Sequence, residues 1–286
     1  MSDTPTFRFT HRQRVRWADV DPQGIVFNPN YLVFLDTAIT EYWRAVGLPY
    51  PEGVSRFGGD IFMRKSTVEY HDSARFDDLI EVSIRCERIG RSSLTFVWSI
   101  HQQERHCVDG EAIYVYADPV AKVSAPVPDA LREMLTTFEA GKPMFTVRTG
   151  NWSELATDAR TVRTAVFIHE QRIPEEMEWD EADASAVHAV AYNALGEPLG
   201  TGRLLEHVPG VAKIGRMAVA RGLRGSGVGR QLLDALMQSA RDRGDREAVL
   251  HAQVAASGFY SQAGFIARGP QFDEVGIPHI EMVRAL

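Results

Sequence analysis

The stretch Lys213-Ile214-Gly215-Arg216-Met217-Ala218-Val219, followed after a short turn by Arg224-Gly225-Ser226-Gly227-Val228-Gly229-Arg230, decides the reading of the second half of the chain. An apolar strand runs into a glycine-rich turn, and the turn opens a helix. Gly227 and Gly229 carry no side chain that would hold a pyrophosphate off the backbone. Consecutive N–H groups at the new helix start can then donate to its oxygens. Arg224 and Arg230 place positive charge beside them. Val228, Leu232, Leu233, Leu236 and Met237 follow on one helical face. No Gly-Lys-Ser/Thr follows, which excludes a Walker loop. A dinucleotide fingerprint would need another glycine in register and an acidic residue about 20 positions on.

Working outward, Met144 to Thr149 reads as a strand and Trp152 to Gln171 as one helix, with Ser153 as a candidate cap. Residues Pro174 to Ala184 form an acidic loop, read as a solvated surface; the alternative is that it lines an entry for a cationic amine. Val187 to Ala194 and Leu199 to Glu206 are strands joined at Gly196-Glu197-Pro198. Val211 to Val219, Ala248 to Gln253, Phe265 to Gly269 and His279 to Arg284 complete the strands, with a helix over Ala255 to Gln262.

This order, the Arg-x-x-Gly-x-Gly spacing at Arg224 to Gly229 and the Phe-Tyr-x-x-x-Gly-Phe run ending at Phe265 resemble the GNAT acyltransferases. Val166-Phe167-Ile168-His169-Glu170-Gln171 and Gly276-Ile277-Pro278-His279 resemble its ElaA-like branch. The resemblance covers about residues 144–286. It implies that Met217, Ala218 and Val219 pair through their backbone with the pantetheine arm of coenzyme A. It implies that Arg224, Gly225, Ser226, Gly227, Val228, Gly229 and Arg230 hold the pyrophosphate, and that Tyr260 protonates the leaving thiolate. Against the last stands an ordinary core tyrosine. A base for the attacking amine stays open among Glu170, His188, His251 and His279.

In the first half, Phe9 to Val20 reads as a strand with Val15 and Trp17 apolar. Asp19-Val20-Asp21-Pro22-Gln23-Gly24 is a turn by composition. Asn28-Pro29 reads as a helix start, with Asn28 as cap and Pro29 at the first helical position. Tyr31, Leu35, Ala38, Ile39, Tyr42, Trp43 and Val46 then make a wide apolar face, and Gly47 stops the helix. Ile61 to Tyr70 is a strand, Ile80 to Cys86 and Leu94 to Ile100 alternate with period two, and Ala112 to Ala117 is a more buried strand. One buried helix against an antiparallel sheet is an α+β layer solution. The proline-rich run from Asp118 to Pro128 leads to a short helix over Pro128 to Phe138.

The order, with Asp-x-Asp-x-x-Gly-x-Val-Phe at Asp19 to Phe27, resembles the hotdog-fold hydroxybenzoyl-CoA thioesterases over about residues 8–125. By that resemblance Asp21 is catalytic and Asp19 structural. Asp21 would attack a thioester carbonyl or activate water, and the backbone N–H of Asn28 would hold the oxyanion. The rival reading is that Asp21 only caps its own turn. The Tol–Pal-associated branch has His where Asn28 stands, so its acyl preference does not carry over. His11, His71, His101 and His106 are scattered in sequence and read as surface or satisfied side chains.

The expected architecture is therefore an α+β hotdog domain over residues 1–141 and an α/β GNAT domain, a mixed sheet flanked by helices, over 142–286, the boundary falling at Gly141-Lys142-Pro143. At 286 residues, two domains fit the length. No apolar run reaches the ~18 residues of a membrane span. Met1 to Arg16 lacks a signal-peptide core. Two cysteines, Cys86 and Cys107, read as reduced thiols of a cytoplasmic protein, with no metal expected. Residues 1–140 carry 15 Lys/Arg against 20 Asp/Glu, and residues 141–286 carry 16 against 18. Neither half is basic, which argues against nucleic acid. The resemblances imply a bifunctional enzyme: an acyl-CoA thioesterase, and an acyltransferase moving an acyl group, expected to be acetyl, from coenzyme A to an amine. They also imply a homo-oligomer through the hotdog half. The rivals are an acyltransferase on a hotdog scaffold and a non-catalytic coenzyme A sensor.

Overall fold

The computed structural model describes residues 6–286; the signal-peptide reading of Met1 to Arg16 falls partly outside them. The chain divides into two compact units, Met1–Met144 and Phe145–Leu286.

The first unit runs β1 (Phe9–Arg14), α1 (Asn30–Val46), α2 (Glu52–Ser55), β2 (Asp60–Tyr70), β3 (Leu79–Ile89), β4 (Ser93–Gln102), β5 (Arg105–Ala117) and α3 (Asp129–Glu139). The strands form one antiparallel sheet in the order β1-β3-β4-β5-β2. The helix α1 lies on its apolar face. Tyr31, Phe34, Leu35, Ala38, Ile39, Tyr42, Trp43 and Val46 are all buried. They recur at the three- and four-residue spacing that makes one helical stripe. Burial of each large side chain is worth ~1.5–3 kcal/mol. Tyr42 meets Phe9, Phe96 and Phe138 edge-on, which ties the helix to β1, β4 and α3. Gly47 ends the helix at φ 86°, and its N–H returns to Arg44 and Trp43 carbonyls. That left-handed position is cheap only for glycine.

Two local expectations are corrected here. The first strand stops at Arg14, and residues Trp17–Asp19 form a 3₁₀ turn. Trp17 is therefore not a strand position; it is 76% exposed and meets Phe76 edge-on. The turn forms because the buried Asp19 carboxylate accepts from the Arg16 backbone N–H and guanidinium. Helix α1 also begins one residue later than the Asn-Pro signal suggests. Pro29 occupies the cap position, and the Asn28 side chain makes no capping bond. Asn30 N–H closes a turn onto Phe27 O instead, and its side chain donates to Asp19 O.

The second unit runs β6 (Phe145–Gly150), α4 (Trp152–Arg163), α5 (Glu175–Glu178), β7 (Val187–Asn193), β8 (Pro198–Val208), β9 (Val211–Val219), α6 (Val228–Arg243), β10 (Glu247–Gln253), α7 (Ser257–Gln262), β11 (Ile266–Glu274) and β12 (Ile277–Ala285). Its seven-stranded sheet has the order β11-β12-β10-β9-β8-β7-β6. It is mixed: β9 and β10 are parallel, the other neighbours antiparallel. Helix α6 buries Val228, Leu232, Leu233, Leu236, Met237 and Ala240 against Ala189, Leu204, Ile214 and Leu250.

The helix expected over Trp152 to Gln171 is two segments. Asn151, not Ser153, caps α4: its side chain accepts from Glu154 N–H, and Glu154 returns a bond to Asn151 N–H. After Arg163 the backbone widens into a π-helical segment, Thr164–Glu170. Such segments are rare and concentrate at functional sites.

The acidic loop is a solvated surface only in part: Glu175, Glu176, Asp180 and Glu181 are exposed. Glu178 and Asp183 are buried, and both bind the guanidinium of Arg163, itself 1% exposed. Arg203 joins Asp180 to Asp183, and Arg216 reaches Glu178 and Asp180. Glu178, Asp180 and Asp183 are thus met by three arginines, from α4, β8 and β9. Among the described residues no helix is long and apolar enough to cross a membrane.

Candidate functional sites

The site of the second unit begins with a parting of strands. Strand β9 pairs with β10 only over Val211–Ile214, against Glu247–Leu250. On its other edge it stays paired with β8 as far as Val219. From Gly215 onward β9 and β10 diverge. The β8–β9 register slips between Thr201 and Arg203, where Ala218 and Gly215 are the partners, so β9 carries an extra residue. That bulge contains Arg216 at φ 50°. A bulge bends and twists the strand that carries it. A non-glycine at positive φ costs about 1–2 kcal/mol, offset here by the Arg216 ion pairs to Glu178 and Asp180.

The divergence leaves the outer edge of Met217, Ala218 and Val219 facing a cavity of about 550 Å³. The same cavity is lined by Arg224, Gly225, Gly227, Gly229, Arg230 and Tyr260. Gly225 and Gly227 sit at φ 89° and 90°, a backbone that side chains disfavour. Gly227 caps α6. The N–H groups of Gly225, Gly227, Val228, Gly229 and Arg230 have no partner among the described residues. They form the positive end of a 16-residue helix, where an anion is favoured. Gly229 plays a different part: a Cβ there would stand 3.5 Å from Val219 and 3.6 Å from Phe259, narrowing the cavity.

Two of the expected pyrophosphate residues have their side chains elsewhere. Val228 is fully buried in the core, and Ser226 Oγ donates to Leu223 O. The two arginines are engaged. Arg224 makes a two-pronged pair with Glu170, both contacts 2.7 Å, and Arg230 pairs with Asp234. The Arg224 hydrogen bonds hold the Glu170 carboxyl below its ordinary range. A carboxylate so stabilised is a poor base, which removes Glu170 from that role.

Tyr260 also lines a second cavity of about 610 Å³. His251 and His279 line this second cavity; His188 and Glu170 line neither. His188 is buried against Trp152 and bonded to Asp183 O, and burial holds its pKa down. His279 Nδ1 lies 2.8 Å from Ile277 O. A carbonyl only accepts, so Nδ1 carries the proton and Nε2 of the neutral ring keeps its lone pair. His251 lies 3.7 Å from Glu274 and 3.9 Å from Glu281. Burial, then Lys213, holds its pKa below the ordinary value. Burial pushes the Tyr260 hydroxyl up to about 12, so it stays protonated near neutrality.

In the first unit the loop between β1 and α1 closes on itself. Val20 and Val26 form a bridge, Asp21 N–H bonds Ile25 O, and Phe27 N–H bonds Asp19 O. Asp19 is fixed by Arg16; burial would raise its carboxyl, but the Arg16 bonds outweigh it and leave it below its ordinary value. Asp21 is half-buried. Its Oδ1 accepts from Gln23 N–H at 2.8 Å, so it does cap its own turn; Oδ2 has no partner among the described residues. Asn28 is exposed, and its N–H makes no hydrogen bond among the described residues. Its carbonyl accepts from Tyr70 OH. The loop thus carries one free carboxylate oxygen and one free N–H near its two ends.

Three of the four histidines read as scattered come together; His11, on β1, is not among them. His71, just past the end of β2, and His101 and His106, on β4 and β5, form a stack with ring centroids 4.3 and 4.6 Å apart. Strand pairing across 30 residues makes this row, and local sequence carries no sign of it.

Comparison with known proteins agrees with both halves. Residues 155–286 match the sequence model of the acetyltransferase (GNAT) domain, and residues 23–108 that of the thioesterase superfamily. The uncharacterized N-acetyltransferase YjcF of Bacillus subtilis is 36% identical over 132 residues, 46% of this chain and 93% of the relative. A protein of Aquifex aeolicus whose name provisionally calls it an esterase is 28% identical over 108 residues, 35% of this chain and 84% of its own length. Among solved structures, Escherichia coli ElaA aligns with a TM-score of 0.45 at 29% identity, over 49% of this chain and 99% of that one.

Proposed function

The chain belongs to the GNAT acetyltransferases through its second unit and carries a hotdog domain of the thioesterase superfamily in its first; from this we propose that it is a bifunctional acyl-CoA enzyme. The second unit transfers an acyl group, acetyl in the first instance, from coenzyme A to an amine. The observation that carries this reading is Tyr260, which borders both the cavity of the parted strands and the cavity of His251 and His279.

The pantetheine arm lies along Met217, Ala218 and Val219 and pairs with their open backbone edge. The pyrophosphate sits on the free N–H groups of Gly225, Gly227, Val228, Gly229 and Arg230. The amine enters from the second cavity and attacks the thioester carbonyl carbon. His279 Nε2 takes its proton, and Tyr260 gives a proton to the departing thiolate. His279 is preferred to His251 because its Nδ1 bond to Ile277 O fixes the tautomer that leaves Nε2 free. Replacing His279 with Gln should slow acetyl transfer by roughly 100-fold at pH 7. The deficit should shrink as rising pH deprotonates the amine unaided. The check is a pH–rate profile of kcat/KM; a full loss in His251→Gln with none in His279→Gln would reverse the assignment.

The first unit hydrolyses an acyl-CoA thioester. Asp21 attacks the carbonyl or activates water, and the Asn28 N–H donates a hydrogen bond to the developing oxyanion. One observation favours a rival: Asp21 Oδ1 already caps its own turn, as it would in a hotdog half retained only as a scaffold. Asp21→Ala separates the two, since a scaffold loses no activity.

The oligomer belongs to the same proposal. Strand β2 is an edge strand of 11 residues with Phe62, Met63 and Tyr70 exposed. A long apolar edge of this kind invites pairing with a second copy. Sedimentation at micromolar concentration should give a dimer or larger, and Met63→Lys should shift it toward monomer. A monomeric wild type would refute the interface.

A further inference from the structure

The imidazole stack of the first unit lies on one sheet face together with Asp109. His71 follows β2 directly, His101 ends β4, and His106 and Asp109 are both on β5. Residues three apart on a regular strand point to opposite faces. Here the β4–β5 register slips: Ile100 pairs with Val108, but His101 pairs with His106. The extra residue at this bulge brings His106 and Asp109 to the same side, as bulges do where a side chain must be re-aimed.

Three features mark the cluster as incomplete without a cation. His71 Nε2 lies 2.9 Å from Asp109 Oδ1, and His106 Nε2 lies 4.0 Å from Asp109 Oδ2, too far for a hydrogen bond. His106 Nε2 is itself shielded from solvent and has no hydrogen-bond partner. In the β2–β5 register Glu69 stands directly opposite Asp109. Like charges in that position destabilise a sheet, and a cation beside them would reverse the sign.

We propose that His71, His106 and Asp109 form a binding site for a divalent transition-metal ion of the zinc class. The three donor atoms lie within 4.8 Å of one another. Around a tetrahedral zinc at ~2.0–2.1 Å, donors stand roughly 3.4 Å apart, which small side-chain rotations reach. Two imidazoles and one carboxylate suit zinc, nickel or copper and disfavour magnesium. The fourth position is left to water. Such an ion would clasp the end of the edge strand β2 to β5. The cluster uses none of the residues assigned to either activity, so the proposal does not depend on them.

The test is calorimetric titration of Zn²⁺ into the metal-free full-length chain against a competing chelator, with Mg²⁺ as the contrast. The wild type should bind one ion per chain at this site and gain melting temperature in its first unit. His71→Ala and Asp109→Asn should each weaken binding by roughly tenfold or more, while His11→Ala, on β1, leaves it unchanged. Both side chains are substantially exposed, so circular dichroism should find the variants folded. Unchanged affinity in both variants, or no zinc binding by the wild type, would overturn the site.

Discussion

Replacing Tyr260 with Phe is expected to slow amine-dependent release of coenzyme A ~10²–10⁴-fold, the range of a lost general acid. The substitution removes one oxygen. It keeps the ring that packs against Phe259 and Phe265, so the fold should survive. The hydroxyl suits the role because burial lifts it to about 12. A raised pKa keeps the proton bound, so loss of rate from tyrosine ionisation should begin near pH 12 rather than near 10. Binding of coenzyme A itself should change little, since the N–H groups of the glycine loop are untouched. The discriminating readout is kcat at saturating acetyl-CoA and amine. A kcat within twofold of wild type would assign Tyr260 to the core and leave the thiolate to be protonated by water.

Arg163→Met is expected to destabilise the second unit by about 3–5 kcal/mol, the cost of breaking a buried ion pair from one side. Its guanidinium is held by the Glu178 carboxylate, by Glu178 O at 2.7 Å and by Asp183 at 2.9 Å, and it faces the Trp179 ring at 4.6 Å. Methionine restores volume but no charge. Burial already pushes the Glu178 carboxyl above its ordinary value, against the pull of Arg163 and Arg216. Without Arg163 one of the groups that lower it is lost, so its pKa should rise further. Melting of the second unit should fall by about 10 °C, and Arg163→Met with Glu178→Gln should recover part of the loss. A single variant losing less than about 1 kcal/mol would mean that Arg203 and Arg216 alone neutralise the acids.

These two residues also show where the sequence is informative and where it is silent. Tyr260 was legible because its neighbours obey a local spacing, Phe259-Tyr260 before Gly264-Phe265. The glycine loop and the apolar stripe of α1 were legible for the same reason: a helix or turn is specified within a few residues. The salt-bridge network was not. Glu178 and Asp183 look like any solvated acidic loop until β8 and β9 bring up Arg203 and Arg216, and no periodicity encodes that pairing. The His71, His101 and His106 row is invisible for the same reason. Asn28-Pro29 misled for a local one: its turn is closed by Asn30 N–H onto Phe27 and by the Asn30 side chain onto Asp19, and the helix starts only after it. Trp17 misleads because its apolar side chain extends the strand reading past Arg14, while Arg16 and Asp19 turn the chain before Trp17 can enter the sheet. Among four candidate bases, only the fold separates His251 and His279, which share a cavity with Tyr260, from Glu170 and His188, which do not.

The central claim is that one chain carries two independent acyl-CoA chemistries. It is tested most directly by free-thiol release from acetyl, aliphatic and aryl coenzyme A thioesters, with and without an acceptor amine, in wild type, Asp21→Ala and Tyr260→Phe. The account predicts that Asp21→Ala abolishes release without amine, by ~10²–10⁴-fold, and spares the amine-dependent part. Tyr260→Phe should do the reverse. Amine-independent release that is absent from wild type, or that persists in Asp21→Ala, would contradict it and leave the first unit as a scaffold for the second.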